Sequence, residues 1–369
     1  MNRLVPAKLT RNSVATAITT VLSFACLPLC QLASSQELEQ RVDVTGHVRE
    51  LADYLDRVEV YAPLSYRNLA LFPLRLTEGP TLRGSWLTMD AALDRGLLTV
   101  TEMPNGGRVP VVKVMNQSRD DTIFLMSGEV LSGGKQSRTV RQDVILAPGQ
   151  GIQLDVFCVE GRRWEGKPEL AAGKALLPQS IQLELRHGAD QQRIWKEVER
   201  TNRALGADNA TNSLELAIND EQVQNRLVDV RKKFLPEIPG DTVGFLFVDG
   251  GRPVGAEFFG REDIAKAMFP KLLDSYAVDV ILQRKMHLDS GDAADREAAL
   301  AFFDNIRRAG SERTTTPGSG AGMRTRVGEL AGDGVSLGNT LVHYGVQAHR
   351  RFIPLPKPLL ERNEAIQGE

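Results

Sequence analysis

The sequence has few of the residues that cross-link a protein or charge it strongly. Its 369 residues include three cysteines and five histidines, and only 6% are aromatic. The 45 Lys and Arg residues nearly balance the 47 Asp and Glu residues, so the formal net charge is −2. Without a basic excess the chain has no general attraction for polyanions, which argues against nucleic acid as a partner. The hydrophobic fraction of 42% and the charged fraction of 25% are typical of a globular protein.

The one long apolar run lies near the N-terminus and is typical of a secretory signal. Three basic residues within the first 11 positions precede the uncharged segment SVATAITTVLSFACLPLC at residues 13–30. Ala33 and Ser35 are the small residues that a signal peptidase requires before Gln36. We therefore expect residues 1–35 to be a signal peptide and the mature protein to be periplasmic or secreted, without a stable membrane span. The alternative is an uncleaved anchor, because the run approaches the minimum length of a spanning helix.

Only one cysteine remains after the predicted cleavage. The other two lie in the signal, so Cys158 has no partner for an internal disulfide. Cys158 continues the face that Ile152, Leu154 and Val156 define on a predicted strand, which indicates a buried thiol. The alternative is a nucleophile, which needs an accessible and electropositive setting. No cysteines and histidines have the spacing of a zinc site, so we expect no metal site.

Hydrophobic periodicity divides the mature chain into a β-rich half and a helix-bearing half. After a helical lead-in over residues 36–60, residues 61–164 contain short apolar strands and turns, which favour a sandwich or a partly open barrel. Residues 165–355 carry helical patterns, a β-hairpin with a DGG turn and C-terminal strands, and residues 356–369 are a polar tail. We therefore predict an α+β fold. The sequence leaves open whether the first helices after residue 165 are an insertion or part of a second domain.

Some elements are defined closely enough to be checked one by one. Leu69–Leu76 has the apolar character of a strand. Val111–Met115 and Thr122–Met126 flank the polar turn NQSRDD, which predicts a hairpin. His343 and His349 share the face of a C-terminal strand opposite its apolar residues, so we expect both histidines at the surface.

The chemistry of the sequence is densest in residues 127–138, SGEVLSGGKQSR. The glycine pair allows a tight turn with exposed N–H groups, and the Lys-Gln-Ser-Arg segment after it supplies charges and donors, which predicts a cradle for a phosphate or carboxylate. The alternative is a tight β-turn with solvated charges. The predicted ligand-binding residues of the cradle are Gly133, Gly134, Lys135, Gln136 and Arg138.

Glu129 is the first of two carboxylates with a candidate catalytic role. It lies between a glycine and an apolar pair, so a half-buried general base or a group that binds a hydroxyl is one interpretation. The alternative is a salt bridge with Lys135, Arg138 or Arg141, because buried charges are normally paired.

Glu160 is the second candidate, in the segment CVEGRRW at residues 158–164. It shares the face of Cys158 at the end of the strand, where the core meets solvent. With its neighbours it completes one wall of a pocket in this interpretation, and Trp164 adds a flat ligand-binding surface for a base or a sugar. The alternative is a strand end that an aromatic side chain covers.

The strings GEVLSGGKQSR and CVEGRRW resemble the ADP-ribosylglycohydrolase and rhodanese-phosphatase associated protein domain family. The similarity extends to LALFPL, GLLTVTE and VGAEFFG, and thus to about residues 60–355. The family name implies an association with enzymes that process ADP-ribose and NAD-derived metabolites, without implying a reaction. The matching positions are Glu129, Gly133, Gly134, Lys135, Gln136, Arg138, Cys158, Glu160 and Trp164.

Two functional hypotheses follow for this exported protein. The first is that it binds or processes an anionic small ligand, such as an ADP-ribose-like or sugar-phosphate compound. The second is a non-catalytic envelope module that recognises protein or glycan partners. Clustering of Glu129, Lys135, Arg138 and Glu160 around one concavity favours the first hypothesis, and dispersal over a flat surface favours the second. The sequence does not decide whether the protein is an enzyme, which cofactor it uses or what its oligomeric state is.

Overall fold

The short apolar segments of the N-terminal half and the longer helices of the second half both appear in the computed structural model. The structure describes residues 46–79, 82–103, 110–282 and 295–348. Within these ranges it contains eight α-helices and 18 strands. The predicted α+β fold with a β-rich N-terminal half is therefore confirmed. The predicted signal, the first ten residues of the lead-in and the polar tail lie outside the described residues.

The strands of the first half are short, and most are bounded by turns. They are β1 (Val58–Val60), β2 (Leu64–Tyr66), β3 (Leu69–Leu76), β4 (Ser85–Thr88), β5 (Leu98–Glu102), β6 (Val111–Asn116), β7 (Asp121–Leu125), β8 (Glu129–Gly133), β9 (Arg138–Val140), β10 (Val144–Leu146), β11 (Gly151–Cys158) and β12 (Glu169–Leu176). The later strands are β13 (Gly244–Asp249), β14 (Arg252–Phe259), β15 (Glu312–Thr314), β16 (Ala321–Val327), β17 (Leu330–Leu337) and β18 (Thr340–Ala348).

Most of the helical residues follow the first half. The helices are α1 (Arg49–Leu55), α2 (Met89–Asp94), α3 (Gln179–Arg186), α4 (Gln191–Leu205), α5 (Leu214–Ile218), α6 (Glu221–Phe234), α7 (Glu262–Leu282) and α8 (Arg296–Arg308). No helix among the described residues is long and apolar enough to cross a membrane.

Six strands close into a barrel in the order β11, β6, β5, β12, β8, β9. Alternate residues of these strands, such as Val112 and Val114 in β6, belong to one buried cluster, while Lys113 between them is exposed. Closure leaves no free edge, so the barrel end is shaped by the turns that connect neighbouring strands.

The larger sheet has nine strands and draws on both halves of the chain. Its order is β1, β3, β13, β14, β18, β17, β16, β15, and β2 pairs with β3. Both faces are covered. In β13, Phe245 and Phe247 pack towards α6 and α7, whereas Leu246 and Val248 pack towards α1 and α8. This double cover explains the near-continuous apolar character of the central strands.

The predicted hairpin at residues 111–126 is wrong, although both of its strands exist. β6 pairs with β5 and β11 in the barrel, whereas β7 pairs with β4 and β10 in a separate three-stranded sheet. The Asn116 side-chain amide lies between them and donates to the carbonyls of Asp121, Leu146 and Ala147 at 2.9, 3.1 and 3.0 Å. These bonds hold the turn in a shape that directs the chain from one sheet to the other.

The surface position predicted for His343 is also wrong. Strand parity places it opposite Tyr344, but both faces of β18 are covered, and only 1% of His343 is exposed. Its ring packs against Phe124 and Phe259 and lies between two carboxylates. Parity separates core from solvent only where one face of a sheet is wet. His349 lies outside the described residues.

Candidate functional site

The glycine pair of the motif forms the tight connection between the adjacent barrel strands β8 and β9. Gly133 has φ +94° and Gly134 has φ +57°, a region that side chains other than glycine rarely adopt. A Cβ atom at Gly134 would lie 2.9 Å from Oε1 of Glu102. The turn therefore needs glycine both for its backbone shape and for the close approach of a carboxylate.

The N–H groups of this turn bind acceptors that belong to the protein itself. Lys135 N–H donates to Oε1 of Glu102 at 2.7 Å, and Ser137 N–H donates to Oε2 of Glu160 at 3.0 Å. Gly134 N–H donates to a backbone carbonyl of β12 at 3.1 Å. These three N–H groups of the predicted anion cradle are thus occupied by internal oxygens.

Glu160 and Arg163 anchor the turn from outside. Arg163 binds Glu160 in a bidentate manner, with Nε to Oε1 at 2.9 Å and Nη2 to Oε2 at 2.7 Å. The same guanidinium donates to the carbonyls of Gly133 and Gly134 at 3.2 and 2.8 Å. Burial alone would raise the pKa of Glu160, but the hydrogen bonds from Arg163 and from Ser137 N–H hold it below its ordinary value. Glu160 is therefore a carboxylate anion that fixes the loop.

Arg138 lies at the same end of the barrel, with only 2% of its surface exposed. Its Nη1 donates to Oε1 of Gln136 and to Sγ of Cys158, both at 2.9 Å, and its Nη2 lies 3.4 Å from Oε1 of Glu102. We call Glu102, Gln136, Arg138 and Cys158 the barrel-end cluster. Because Arg138 is enclosed by these partners, the alternative that it is a solvated turn residue is wrong.

Two donors of the barrel-end cluster have no acceptor among the described residues. They are Nε of Arg138 and Nε2 of Gln136, and both atoms are buried. The orientation of the Gln136 amide follows from chemistry, because Arg138 can only donate and the atom that it contacts must be the oxygen. A buried donor without an acceptor costs about 1–3 kcal/mol. The cluster therefore has two donors that are not used by any described residue.

Cys158 is buried and unpaired, as the strand pattern predicted. Burial raises the pKa of its thiol and Glu102 adds to the effect, while the positive charge of Arg138 only partly offsets it. The thiol is therefore protonated near neutral pH. The backbone of Cys158 is fixed by Gln191, whose amide exchanges two hydrogen bonds of 2.8 Å with its N–H and C=O groups.

Glu129 belongs to a different cluster. It begins β8 whereas Gly133 ends it, and four residues of extended strand span on the order of 13 Å. Its carboxylate is fully buried, accepts from Met126 N–H at 2.7 Å and is paired with Lys271 of α7, which also contacts Asp90 at 2.7 Å. Burial raises the pKa of Glu129, although Lys271 counteracts this. Burial would lower the pKa of Lys271, but the attraction of the two carboxylates outweighs it and raises that pKa.

The predicted site residues therefore divide into separate groups. Gln136 and Arg138 meet inside the barrel end, Glu160 holds the turn outside it, and Glu129 is remote at the start of β8. Lys135 and Trp164 have exposed side chains, with 52% of Trp164 accessible. The arrangement is neither one concavity lined by all of these residues nor a flat surface.

Sequence reasoning missed Glu102, the residue that connects the turn to Arg138. A signal for it was present, because Glu102 shares the parity of the buried residues Leu98 and Val100 on β5. A carboxylate that ends an inward-facing row needs a cationic partner. Among the described residues, no group of three or more His, Cys, Asp or Glu side chains could hold a metal ion.

Together the fold and the site define an α+β protein in which conspicuous motif residues close one end of a six-stranded barrel. The model of the ARG and Rhodanese-Phosphatase-superfamily-associated Protein domain matches residues 57–346. This match covers most of the chain, so the protein belongs to that family, and the resemblance seen in the motifs is confirmed. Neither the curated proteins nor the solved structures that were compared with the chain gave a match.

Proposed function

We propose that the protein binds the anionic group of a small molecule at the barrel end. The observation that carries this proposal is the pair of buried donors without acceptors, Nε of Arg138 and Nε2 of Gln136. The two side chains are in direct contact, so one phosphate or carboxylate with several oxygens can accept from both. Glu102 competes only weakly for Arg138, because their contact of 3.4 Å is long for a charge-assisted hydrogen bond.

The ligand class that we propose is an ADP-ribose-like or sugar-phosphate compound. A phosphate supplies several oxygens and more negative charge than the one 3.4 Å contact with Glu102 gives the cationic Arg138. The Glu102 side chain is 12% accessible and that of Arg138 is 3% accessible. We therefore place the rest of such a ligand on the Glu102 side, which is closer to solvent. The choice of ADP-ribose chemistry comes from the family resemblance.

Binding is favoured over processing by the state of the two candidate catalytic carboxylates. Glu160 already accepts hydrogen bonds from Arg163 and Ser137, which leaves it without the free proton-accepting capacity that a general base needs. Glu129 is paired with Lys271 at the far end of β8. A general base has to be within hydrogen-bond reach of the ligand, and neither group meets that condition at the barrel-end cluster.

A thermal-shift assay tests this proposal, with ADP-ribose, ribose 5-phosphate, inorganic phosphate and acetate as ligands. A bound ligand at about 100 times its Kd adds roughly 2.7 kcal/mol to the free energy of unfolding. The informative variant is Gln136→Glu, which keeps the oxygen that Arg138 contacts and replaces the unpartnered amide donor with a second oxygen. Lys135→Gln is the matched control, since it removes an exposed charge three positions before Arg138 and leaves the side chains of the cluster unchanged.

We expect at least one phosphate compound to stabilise the wild-type protein and the Lys135→Gln variant equally, and to lose that effect in Gln136→Glu. The proposal fails if no anion stabilises the wild-type protein. It fails equally if Gln136→Glu responds like the control, because the unpartnered donor would then have no part in binding.

Export is the second part of the proposal, since the segment that predicts it lies outside the described residues. The basic start, the apolar run at residues 13–30 and the Ala33/Ser35 pair support cleavage before Gln36. An intact mass that corresponds to a chain starting at Gln36, measured on protein recovered from the envelope fraction of its host, would agree with this. A full-length mass would contradict it and favour the anchor.

A further inference from the structure

A second polar region lies away from the motif, where the barrel side of the molecule meets α3 and the nine-stranded sheet. It surrounds a cavity of about 480 Å³, which we call the junction cavity. This volume is within the range of sites that hold small molecules. The side chains used below line it: Arg141, Asp143, Arg186, Thr315, Arg326 and Asp333.

A row of buried charges begins at the wall of this cavity. Oδ2 of Asp143 lies 2.6 Å from Nδ1 of His343, and Nε2 of His343 lies 3.1 Å from Oε2 of Glu257. Oε1 of Glu257 in turn lies 3.6 Å from Nη2 of Arg186. Each of the four residues is less than a tenth exposed, at 7%, 1%, 0% and 6% in that order. Since burying a charge is costly, each member of such a row needs a partner of opposite sign.

Arg186 is the member of the row whose hydrogen-bonding capacity is unused. Its guanidinium makes no hydrogen bond to a described residue, and its Nη1 is buried without a partner. The 3.6 Å ion pair with Glu257 is too long for a hydrogen bond. Arg186 also ends α3, so the side chain that needs acceptors is held by a helix that lines the cavity.

The other lining charges named above are already engaged. Arg141 lies 3.8 Å from Asp155 and 4.5 Å from the centre of the Phe157 ring. Arg326 donates to Asp333 at 2.9 Å and to the carbonyls of Thr325 and Gly332 at 2.6 and 2.7 Å, and Arg326 also contacts the carbonyl of Arg186. The carboxylate of Asp143 accepts from Ser127 N–H at 2.9 Å as well as contacting His343. The buried group on this wall that still lacks its partners is therefore a cation.

From this arrangement we infer that the junction cavity is a second binding site, in which Arg186 binds the carboxylate or phosphate of a small molecule. The volume accommodates a ligand of about the size of a sugar phosphate or a short dicarboxylic acid. The carboxylate of Glu257 attracts the guanidinium of Arg186 but is too far away to accept a hydrogen bond from it. The oxygens of the ligand accept these hydrogen bonds. This site shares no residue with the barrel-end cluster.

Isothermal titration with glucose 6-phosphate and with succinate separates the two anion chemistries. The titrations are made on four proteins: wild type, Gln136→Glu, Arg186→Gln and Thr315→Trp. We expect one of the two ligands to bind the wild-type protein and Gln136→Glu equally at the junction cavity. Its affinity should fall at least tenfold in Arg186→Gln, which keeps a polar side chain but removes the charge. Thr315→Trp should have the same effect, because it fills the cavity from an exposed position and leaves the buried row unchanged.

Gln136→Glu removes the proposed barrel-end site, so any binding that remains in this variant is assigned to the junction cavity, and a second binding event seen only in the wild-type protein belongs to the barrel end. Binding that disappears in Gln136→Glu but persists in Arg186→Gln and Thr315→Trp would overturn the junction site and leave the barrel-end site standing. Failure of both ligands to bind the wild-type protein would also overturn it. If Arg186→Gln does not fold, Thr315→Trp decides alone, and unchanged affinity in that variant refutes the inference.

Discussion

The barrel-end cluster and the junction cavity are both polar and both contain a buried arginine, yet the chain builds them in opposite ways. The first comes mainly from two short segments, residues 133–138 and 158–163, which bind each other closely. The second gathers residues from positions 127 to 334 around an open volume. The polar residues that are close together in the sequence hold a turn in place, whereas the junction cavity is lined by residues that are far apart in the sequence.

The two arginines also differ in their immediate partners. Arg138 contacts a neutral thiol, a neutral amide and the carboxylate of Glu102 at 3.4 Å, whereas Arg186 ends an alternating row of charges, 3.6 Å from Glu257. In the first region Glu102 and Glu160 each accept from a backbone N–H group of the turn as well as facing an arginine, and in the second His343 lies between two carboxylates. If the two regions are built differently, substitutions in them should change the free energy of unfolding by different amounts.

The largest effect is expected from Glu160→Ala at the barrel end. The substitution removes the acceptor for Ser137 N–H and leaves Arg163 unpaired, so the free energy of unfolding should fall by about 3 kcal/mol. Asp333→Ala at the rim of the junction cavity breaks partly exposed ion pairs and should cost about 1 kcal/mol or less. Urea unfolding of both variants measures the contrast. Equal losses would remove the distinction between a held turn and an open rim.

A pH-dependent effect of similar size is expected from His343 behind the junction cavity. Although burial alone would lower the pKa of His343, Asp143 and Glu257 raise it from 6.5 to about 9, and Arg186 and Tyr276 face the same network across Glu257. The stabilisation is fully present below pH 6.5 and is lost as the pH rises through 9. Between these values the wild-type protein should lose about 3 kcal/mol more than His343→Gln does. Urea unfolding of both proteins from pH 6 to 9.5 measures this difference. If their free energies of unfolding change with pH in parallel, His343 does not carry a stabilising charge in the folded protein.

Cys158 offers a smaller test of how tightly the barrel end is closed. Because the thiol is buried and its pKa is raised, a neutral-pH thiol reagent should modify the native protein at least about 100-fold more slowly than the denatured chain. The rate is followed by mass, with urea-denatured protein as the reference. Labelling at the denatured rate would mean that the cluster opens readily and that the thiol is accessible to reactants.

The smallest effect is expected from Lys135→Ala. Lys135 is exposed, and the N–H group that holds it to Glu102 belongs to the backbone, so stability should change by less than about 0.5 kcal/mol. Arg138→Ala should cost several times more, because it leaves Glu102 without its cation. Comparable effects of the two changes in urea unfolding would restore the solvated-turn interpretation for both residues.

Local elements were the most predictable part of the fold. The strand at Leu69–Leu76 follows from its short apolar run, and the β13–β14 hairpin follows from the DGG turn, where Gly250 and Gly251 both have positive φ. Helix α6 begins at Glu221 because Asp220 caps it, accepting from the N–H groups of Gln222 and Val223 in the first turn. These features depend on neighbours in sequence, which is why pattern reasoning reaches them.

Pairing across the chain was not predictable in the same way. The strands β6 and β7 were expected to form a hairpin. Instead β6 pairs with β11 and β7 pairs with β10, and the Asn116 side chain, which donates to the carbonyl of Leu146, holds the turn between them. For the site, the parity of Cys158 correctly indicated burial, whereas the partner of Glu129 is Lys271, 142 positions away. Salt-bridge partners at such separations leave no periodic trace in one sequence.

The connection between β3 and β13 has a consequence for the order in which the chain folds. Leu69 pairs with Asp249, 180 positions later, and the entire barrel, within residues 98–176, lies inside that closed loop. Closing a long loop is entropically slower than forming contacts between nearby strands. We therefore expect the barrel to gain its hydrogen bonds first and β3 to wait as an exposed apolar strand until β13 is in place. Until then β3 pairs only with β1 and β2, and its open edge makes the half-folded chain prone to aggregation.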